Sequence, residues 1–240
     1  MVFKNSYEDD AYAAAYAKLE FPGTYYLAFR DLPEILASHV EGDQALDVGC
    51  GTGRSTRLLC KLGFDAVGVD IAEEMIQKAR ALDPSGKYSL VPDGDLSQFA
   101  NDTFDAALSA FTFDNIPTAE KKIALLSELA RLLRKSGRII NLVSSPEIYL
   151  NEWASFTTKD FPENAQARCG DRVKIIVTAL DDKRPVADIV WPDEDYREVY
   201  GKSGLEVVEV YRPLGRADEP YFWVSETTIP PWVIYVLRKI

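Results

Sequence analysis

The chain has 240 residues, of which 47% are hydrophobic and 27% are charged, a balance typical of a globular protein. Its 38 acidic and 27 basic side chains give a formal net charge of −11, which disfavours binding to nucleic-acid phosphates. No run approaches the roughly 20 apolar residues of a membrane span, and the acidic N-terminus does not resemble a signal peptide. The three scattered cysteines, Cys50, Cys60 and Cys169, form no C-x-x-C pair, so we expect free thiols, no metal site and a cytoplasmic location.

Two helices are predicted ahead of the first strand. Residues 9–19 and 31–40 have helical periodicity, and the second segment has Asp31 as N-cap, Pro33 in its first turn and Glu34 three residues after the cap. Residues 1–43 are therefore predicted to form a helical cover on the domain that follows.

Strands and helices then alternate through residues 44–144. Apolar runs at 45–48, 66–69, 88–91, 104–110 and 138–143 are separated by segments of helical period at 54–62 and 72–81 and by a helix that opens at Thr118. Gly137 provides a stop between that last helix and the fifth strand. This alternation predicts an α/β fold with a doubly wound, mostly parallel sheet.

The rhythm changes after the fifth strand. Residues 172–178 and 186–191 are β-rich and are joined by a turn segment, which predicts a β-hairpin inside an insertion at residues 145–191. A helix at 193–202 and strands at 205–211 and 232–237 follow, so residues 192–240 are predicted to complete a seven-stranded sheet. The whole chain is expected to be one domain.

A glycine-rich loop lies between the first strand and the next helix. In Asp47-Val48-Gly49-Cys50-Gly51-Thr52-Gly53 the glycines allow a tight turn that exposes backbone N–H groups to a ligand. The spacing is G-x-G-x-G, whereas nicotinamide-binding loops have G-x-G-x-x-G. The carboxylate of Asp47 beside the loop suits a ligand with a cationic amine better than one with a pyrophosphate.

Acidic residues also follow the second and third strands. Asp70 ends the second strand, where its two oxygens could accept hydrogen bonds from both hydroxyls of a ribose. The alternative is that Asp70 only caps the helix that opens at Ala72. Asp93 and Asp95 follow the third strand, where a carboxylate could accept from an adenine amine or could simply belong to a solvated loop.

These motifs resemble the class I S-adenosylmethionine-dependent methyltransferases, over about residues 44–144. Asp47 to Gly53 is similar to the family's first motif, residues 67–71 to its second, and Asp93-Gly94 followed by Phe104-Asp105 to its adenine-side motif. Residues 132–138 are similar to a helix end that the family usually writes with Pro-Gly-Gly, although here Ser136 replaces its proline-glycine part. The resemblance implies a seven-stranded sheet with an antiparallel last strand.

The resemblance also implies cofactor-binding roles for S-adenosylmethionine. It assigns Asp47 and the loop glycines Gly49, Gly51 and Gly53 to the methionine side, Asp70 to the ribose, and Ile71 and Met75 to the face of the adenine. Asp93 and Gly94, with Asp95 as the substitute, would hold the adenine edge, and Ala110 would lie near the reactive methyl. Tyr16 resembles a tyrosine that closes over the methionine end, or it belongs to an apolar helix stripe.

The catalytic candidates are few, because a methyl donor that is already activated mainly requires alignment and exclusion of water. The single histidine, His39, precedes the glycine loop in a helical segment and is expected to be structural. Asp114 is the best candidate for a base, or it forms an N-cap or Asx turn ahead of Pro117. We expect one of Phe111 and Phe113 to line a pocket and the other to pack against a helix.

The region after the fifth strand is expected to supply the acceptor pocket. All four tryptophans lie in the last 90 residues, and the first candidates for acceptor contacts are Glu147, Tyr149, Trp153 and Phe156. Alternatively, these aromatic residues pack the hairpin against the sheet or bury the face of a homodimer.

The sequence therefore predicts a methyltransferase that moves a methyl group from S-adenosylmethionine to an O, N, S or C atom of a small organic acceptor, with no nucleic-acid or membrane partner. The rival predictions are a nicotinamide or flavin oxidoreductase, a cofactor-binding module without catalysis, and a protein or RNA methyltransferase.

Overall fold

The computed structural model describes residues 23–240. The predicted helix at residues 9–19 and the candidate Tyr16 lie outside this range. Within it, no helix combines the length and the hydropathy that crossing a membrane requires.

A seven-stranded sheet forms the centre of the molecule, with strand order β3-β2-β1-β4-β5-β10-β9. Strands β1 to β5 are parallel, and β10 is antiparallel to both β5 and β9. The predicted α/β fold with its antiparallel last strand is thereby confirmed. The strands are β1 (Gln44–Val48), β2 (Asp65–Asp70), β3 (Lys87–Leu90), β4 (Phe104–Ala110), β5 (Leu133–Ser144), β9 (Leu205–Tyr211) and β10 (Trp232–Lys239).

A smaller three-stranded sheet of order β6-β7-β8 follows β5. Its strands are β6 (Phe156–Thr157), β7 (Arg172–Val177) and β8 (Val186–Ile189), and β7 and β8 pair antiparallel, with Ile175 opposite Val186. The predicted hairpin is therefore present, with a short third strand added along the free edge of β7.

Six α-helices cover the main sheet in the described part of the chain: α1 (Thr24–Arg30), α2 (Leu32–His39), α3 (Arg54–Lys61), α4 (Glu73–Leu82), α5 (Ala119–Leu132) and α6 (Asp193–Lys202). Helix α5 begins as the sequence predicts, because the Thr118 side chain accepts a hydrogen bond from the Lys121 N–H at 3.3 Å. Asp31 precedes α2 but makes no capping hydrogen bond there, since its carboxylate pairs with Arg30 at 2.7 Å.

Apolar side chains fill both faces of the main sheet. On β10, Trp232, Ile234 and Val236 join one cluster with α1, α2 and the small sheet, while Val233 and Tyr235 join a second cluster with α5 and α6. This alternation follows from the period of two along a strand. Most buried apolar side chains of the small sheet join the first cluster, while Ile189 at the end of β8 joins the second.

Candidate functional site

The glycine loop between β1 and α3 has a backbone conformation that favours glycine. Gly49, Gly51 and Gly53 all have positive φ, at 69°, 53° and 81°. A Cβ on Gly49 would collide with Thr112, and one on Gly53 would approach the hydroxyl of Tyr88 at 2.6 Å, whereas Gly51 has open space beside it. The loop thus packs closely on two sides and leaves the backbone at Gly51 open to a ligand.

Asp70 links this loop to the end of β2. Its Oδ2 accepts a hydrogen bond from the Gly51 N–H at 2.8 Å, and its Oδ1 accepts one from the Ala72 N–H at 2.9 Å. Burial raises the pKa of Asp70, while these backbone hydrogen bonds act in the opposite direction. The hydrogen bond from Ala72 is the helix-capping contact that the sequence offered as the alternative role of Asp70. The hydrogen bond from Gly51 connects the end of β2 to the glycine loop. Each carboxylate oxygen still has a second acceptor position for a ligand hydroxyl.

Asp47 lies underneath the loop and is fully buried. Its Oδ2 accepts hydrogen bonds from the Ser55 hydroxyl at 2.7 Å and the Thr56 hydroxyl at 2.6 Å, while Oδ1 has no donor among the described residues. Burial raises the pKa of Asp47 to about 6. A buried acceptor oxygen of this kind favours a donor group bound next to the loop.

An open cleft of about 390 Å³ lies beside the glycine loop. The loop residues Gly49 and Gly51 form one wall, and Ala110 at the end of β4 forms part of the other. The Arg54 guanidinium closes one end and lies over the rings of Phe29 and Tyr25, at 4.9 Å and 5.4 Å from their centroids.

The residues predicted to contact an adenine differ in accessibility. Ile71 is 55% exposed next to Asp70, whereas Met75 is buried in the first turn of α4. Gly94 has a φ of 75° and open space beside it, and Asp95 is exposed and accepts a hydrogen bond from the Ser97 N–H at 2.9 Å. The side chain of Asp93 lies outside the described part of the structure.

A second cavity, of about 400 Å³, lies between the end of the main sheet and the small sheet. Five aromatic residues line it, Tyr25, Phe111, Tyr149, Phe156 and Trp232. All but Tyr149 form a cluster in which neighbouring ring centroids are 4.8–6.0 Å apart. Phe111 also lines the cleft beside the glycine loop, so the two spaces adjoin at this residue.

Two carboxyl groups lie in the wall of this aromatic cavity. Asp114 accepts hydrogen bonds from the backbone N–H and the hydroxyl of Ser144, at 3.1 Å and 2.8 Å to Oδ2, and burial raises its pKa to about 6. Asp188 on β8 accepts a hydrogen bond from the Tyr149 hydroxyl at 3.1 Å, and burial together with the charge of Asp114 raises its pKa to about 8. Both groups can therefore exchange protons near neutral pH.

The sequence-predicted acceptor residues divide into three groups. Phe111, Tyr149 and Phe156 line the aromatic cavity. Phe113 and Trp153 are buried in the two apolar clusters, and the Trp153 indole donates to the Ile148 carbonyl at 2.8 Å. Glu147 is exposed and is not part of the lining.

Three further lining residues did not stand out in the sequence. Tyr25 and Trp232 come from segments far apart in the chain, which periodicity alone does not bring together. Asp188 did leave a signal, because it shares a strand face with Val186, and an acid on the inward face of a short strand is unusual. That alternation could have identified it.

Comparison with known proteins identifies the family of this chain. Residues 46–141 match the family described as "Methyltransferase domain". A demethylmenaquinone methyltransferase of Tropheryma whipplei is 34% identical over 103 residues, 41% of each chain, and an uncharacterised protein of Methanocaldococcus jannaschii is 33% identical over 181 residues, 74% of this chain and 68% of that one. The chain belongs to the class I S-adenosylmethionine-dependent methyltransferases. Its match with the Tropheryma protein spans less than half of either chain.

Solved structures of the class I methyltransferase fold resemble the whole chain. A protein of Pyrococcus horikoshii has a TM-score of 0.67 at 18% identity, covering 97% of this chain and 99% of that one. An S-adenosylmethionine-dependent methyltransferase of Clostridium acetobutylicum has a TM-score of 0.66 at 15% identity, covering 96% and 98%. At these identities the likeness concerns the fold, and it extends beyond residues 46–141 of the family match.

S-adenosylmethionine is the cofactor of this family, and the residues around the cleft fit it. The open backbone at Gly51 leaves room for the methionine part, and Asp70 keeps acceptor positions for a ribose diol. The buried Oδ1 of Asp47 favours a nearby donor such as an ammonium group. When bound, S-adenosylmethionine supplies a methyl group on a positively charged sulfur.

Proposed function

We propose that this chain is an enzyme that transfers the methyl group of S-adenosylmethionine to a small organic acceptor in the aromatic cavity. The observation that carries the proposal is the position of Phe111, a residue that lines both the cleft beside the glycine loop and the aromatic cavity. The two spaces therefore adjoin at this residue, and a donor in the cleft and an acceptor in the cavity would meet beside it. Proximity and exclusion of water are the main requirements of methyl transfer.

The roles assigned to the cofactor residues are part of this proposal. Asp70 binds the ribose and Ile71 covers the adenine, with Met75, Gly94 and either Asp93 or Asp95 around it. Gly49, Gly51 and Gly53 shape the loop against the methionine part, Asp47 holds that loop from below, and Ala110 lies near the methyl. Tyr16 is proposed to close over the methionine end.

Asp114 is proposed to accept a proton from the acceptor. It lines the aromatic cavity and is held by Ser144, so its position is fixed before an acceptor arrives. With a pKa raised to about 6, it is ionised at neutral pH and is more basic than an ordinary aspartate. The insertion at residues 145–191 serves as the cap that encloses the acceptor.

A small acceptor is favoured over RNA by the lining of the cavity and by charge. The cavity is lined mostly by apolar and aromatic side chains together with the two acids Asp114 and Asp188, and the chain has a net charge of −11. Curated relatives include quinone methyltransferases and also a tRNA methyltransferase of Saccharomyces cerevisiae, 28% identical over 120 residues. Incubation with labelled S-adenosylmethionine and either a small-molecule panel or bulk tRNA separates these acceptors, and label found only in tRNA would contradict the proposal.

The cofactor assignment is tested by Asp70→Ala. Loss of hydrogen bonds to a charged group costs about 1.5–3 kcal/mol each, so binding of S-adenosylhomocysteine should weaken at least tenfold. Isothermal titration calorimetry measures this change. Asp65→Ala is the matched control, since Asp65 lies at the opposite end of β2 and pairs with Lys87 on the surface. Equal affinities for the parent and a folded Asp70→Ala protein would exclude the ribose role.

A further inference from the structure

The walls of the aromatic cavity carry acidic groups and no basic side chain in the described part of the chain. Asp114 and Asp188 both line it. The nearest buried cation is Lys122, whose ammonium donates to the Phe113 carbonyl and lies over the ring of Trp191 at 4.7 Å. Lys122 does not line the cavity. Its single positive charge can neutralise one of the two carboxylates, Asp114, and leaves Asp188 without a counter-ion among the described residues.

A third acceptor lies in the same wall. Oδ1 of Asn115 is buried and has no donor among the described residues, while its Nδ2 donates to the Phe111 carbonyl at 3.2 Å. Asp188 accepts its hydrogen bond from Tyr149 through Oδ2, which leaves Oδ1 for a ligand. Three side chains therefore offer oxygen acceptors to one space, and buried acceptors require donors.

The remaining walls are the faces and edges of aromatic rings. In the cluster of Tyr25, Phe111, Phe156 and Trp232, each ring centroid lies within 6.0 Å of at least two of the others. Aromatic rings attract a cation over their faces, and the attraction increases when water is excluded. Rings combined with carboxylates and an amide oxygen complement a group that is cationic, carries several N–H donors and has an apolar body.

We propose, on the basis of the function proposed above, that the acceptor is a small basic amine, bound as its ammonium ion by Asp188, Asp114 and Asn115 and methylated on nitrogen. The ammonium gives one proton to the Asp114 carboxylate, which is ionised at neutral pH, and its freed lone pair forms the new N–C bond while the electrons of the broken C–S bond go to sulfur. The proton then leaves to solvent after the product. Burial and the charge of Asp114 raise the pKa of Asp188 to about 8, and an ammonium ion bound beside it favours its charged form, so Asp188 pairs with the amine as a carboxylate.

The test compares ligands of equal shape and different charge. A panel of arylalkyl and alicyclic amines, such as 2-phenylethylamine, is titrated calorimetrically into the protein with and without S-adenosylhomocysteine, alongside the alcohol and the carboxylate of each skeleton. We expect at least one amine to bind ten or more times more tightly than its alcohol, and the carboxylates not to bind. A panel in which no amine exceeds its alcohol would overturn the proposal.

Variants show whether the proposed groups cause that preference. Asp188→Asn should lower the amine affinity at least tenfold and leave the alcohol within about threefold, while Asp181→Asn, at an exposed position in the same hairpin, should change neither. Asn115→Ala provides a second variant if Asp188→Asn does not fold, and should lower amine affinity at least threefold. An unchanged amine preference in these folded variants would overturn the proposal.

Cofactor binding separates this proposal from the one on which it rests. S-adenosylhomocysteine should bind the Asp188→Asn protein as tightly as the parent, because Asp188 does not line the cleft beside the glycine loop. Failure of the parent to bind S-adenosylhomocysteine contradicts the proposed function, whereas the amine preference is still decided by the titrations without it.

Discussion

Phe111 holds a left-handed backbone conformation at the end of β4, with φ at 65°. Such a conformation costs a residue with a side chain roughly 1–2 kcal/mol, and such residues often lie at functional positions. We expect Phe111→Gly to be more stable than Phe111→Ala by about 1 kcal/mol, since both lose the ring but only glycine adopts positive φ freely. Urea denaturation of both variants measures this difference.

The control compares alanine with glycine at position 107 within β4, where alanine is the native residue. The Ala107→Gly protein should be less stable than the parent by about 0.5–1 kcal/mol or more. Equal stabilities for Phe111→Gly and Phe111→Ala would show that the backbone relaxes when the ring is removed.

Asp188 should make stability depend on pH. Its pKa is raised to about 8 in the folded protein, so between about pH 4 and pH 8 the folded state keeps a proton that the unfolded state has released. Stability therefore falls as pH rises through this window, by at most about 1.4 kcal/mol per pH unit from this group. Asp188→Asn removes that dependence.

Thermal unfolding from pH 4.5 to 9 in matched buffers tests this sign. The difference in Tm between parent and Asp188→Asn should shift in favour of the variant as pH rises. Asp114, with its pKa raised to about 6, also makes stability fall as pH rises, at lower pH and in both proteins. Lys122, with its pKa lowered to about 8, makes stability rise with pH above about pH 8. Parallel curves of Tm against pH for the parent and Asp188→Asn would exclude a raised pKa at Asp188. The control is Asp218→Asn, at an exposed position, whose curve should parallel that of the parent.

Among the connections between elements, the buried carboxylate of Glu226 joins three segments. It accepts hydrogen bonds from the Thr24 hydroxyl at 2.6 Å, the Ala154 N–H at 2.7 Å and the Val224 N–H at 2.8 Å. Glu226→Ala leaves the buried Thr24 hydroxyl and two partly buried N–H groups without this acceptor, so we expect a loss of about 3 kcal/mol or more in the free energy of unfolding.

Chemical denaturation measures that loss, and two variants calibrate it. Glu226→Gln keeps one acceptor oxygen and should lose less, while Glu147→Ala, at an exposed position in the same region, should change stability by less than about 0.5 kcal/mol. A Glu226→Ala protein as stable as the parent would show that water replaces the carboxylate.

Local patterns predicted most of the elements, with two informative exceptions. Helix α6 and strand β9 have the predicted bounds, since apolar periodicity and a following glycine define them. Helix α1 was missed because its sequence, rich in tyrosine and phenylalanine, has no capping side chain and owes its helix to packing of Leu27, Ala28 and Phe29. Strand β5 starts at Leu133 rather than at Arg138, since its first residues extend along β4 past an irregular register.

At the scale of the molecule, the two halves of the site differ in how far apart their residues lie in the chain. The proposed cofactor cleft lies at the ends of β1 and β4, where the strand order reverses, and the glycine loop marks it in the sequence. The aromatic cavity combines Tyr25, Phe111, Phe156, Ile175 and Trp232. No local pattern joins residues so distant, so the sequence indicated the region of the acceptor but not its walls.

Strand β10 lies between β5 and β9 and is the sheet partner of both. During synthesis β9 leaves the ribosome before β10 and must wait with an open edge, which the charges of Glu206 and Glu209 protect from pairing with other chains. The cofactor half, by contrast, has all its strands by Ser144. The aromatic cavity gains its Trp232 wall only at that stage. With the roles proposed above, the newly made chain would acquire a place for the methyl donor before it acquires a place for anything to be methylated.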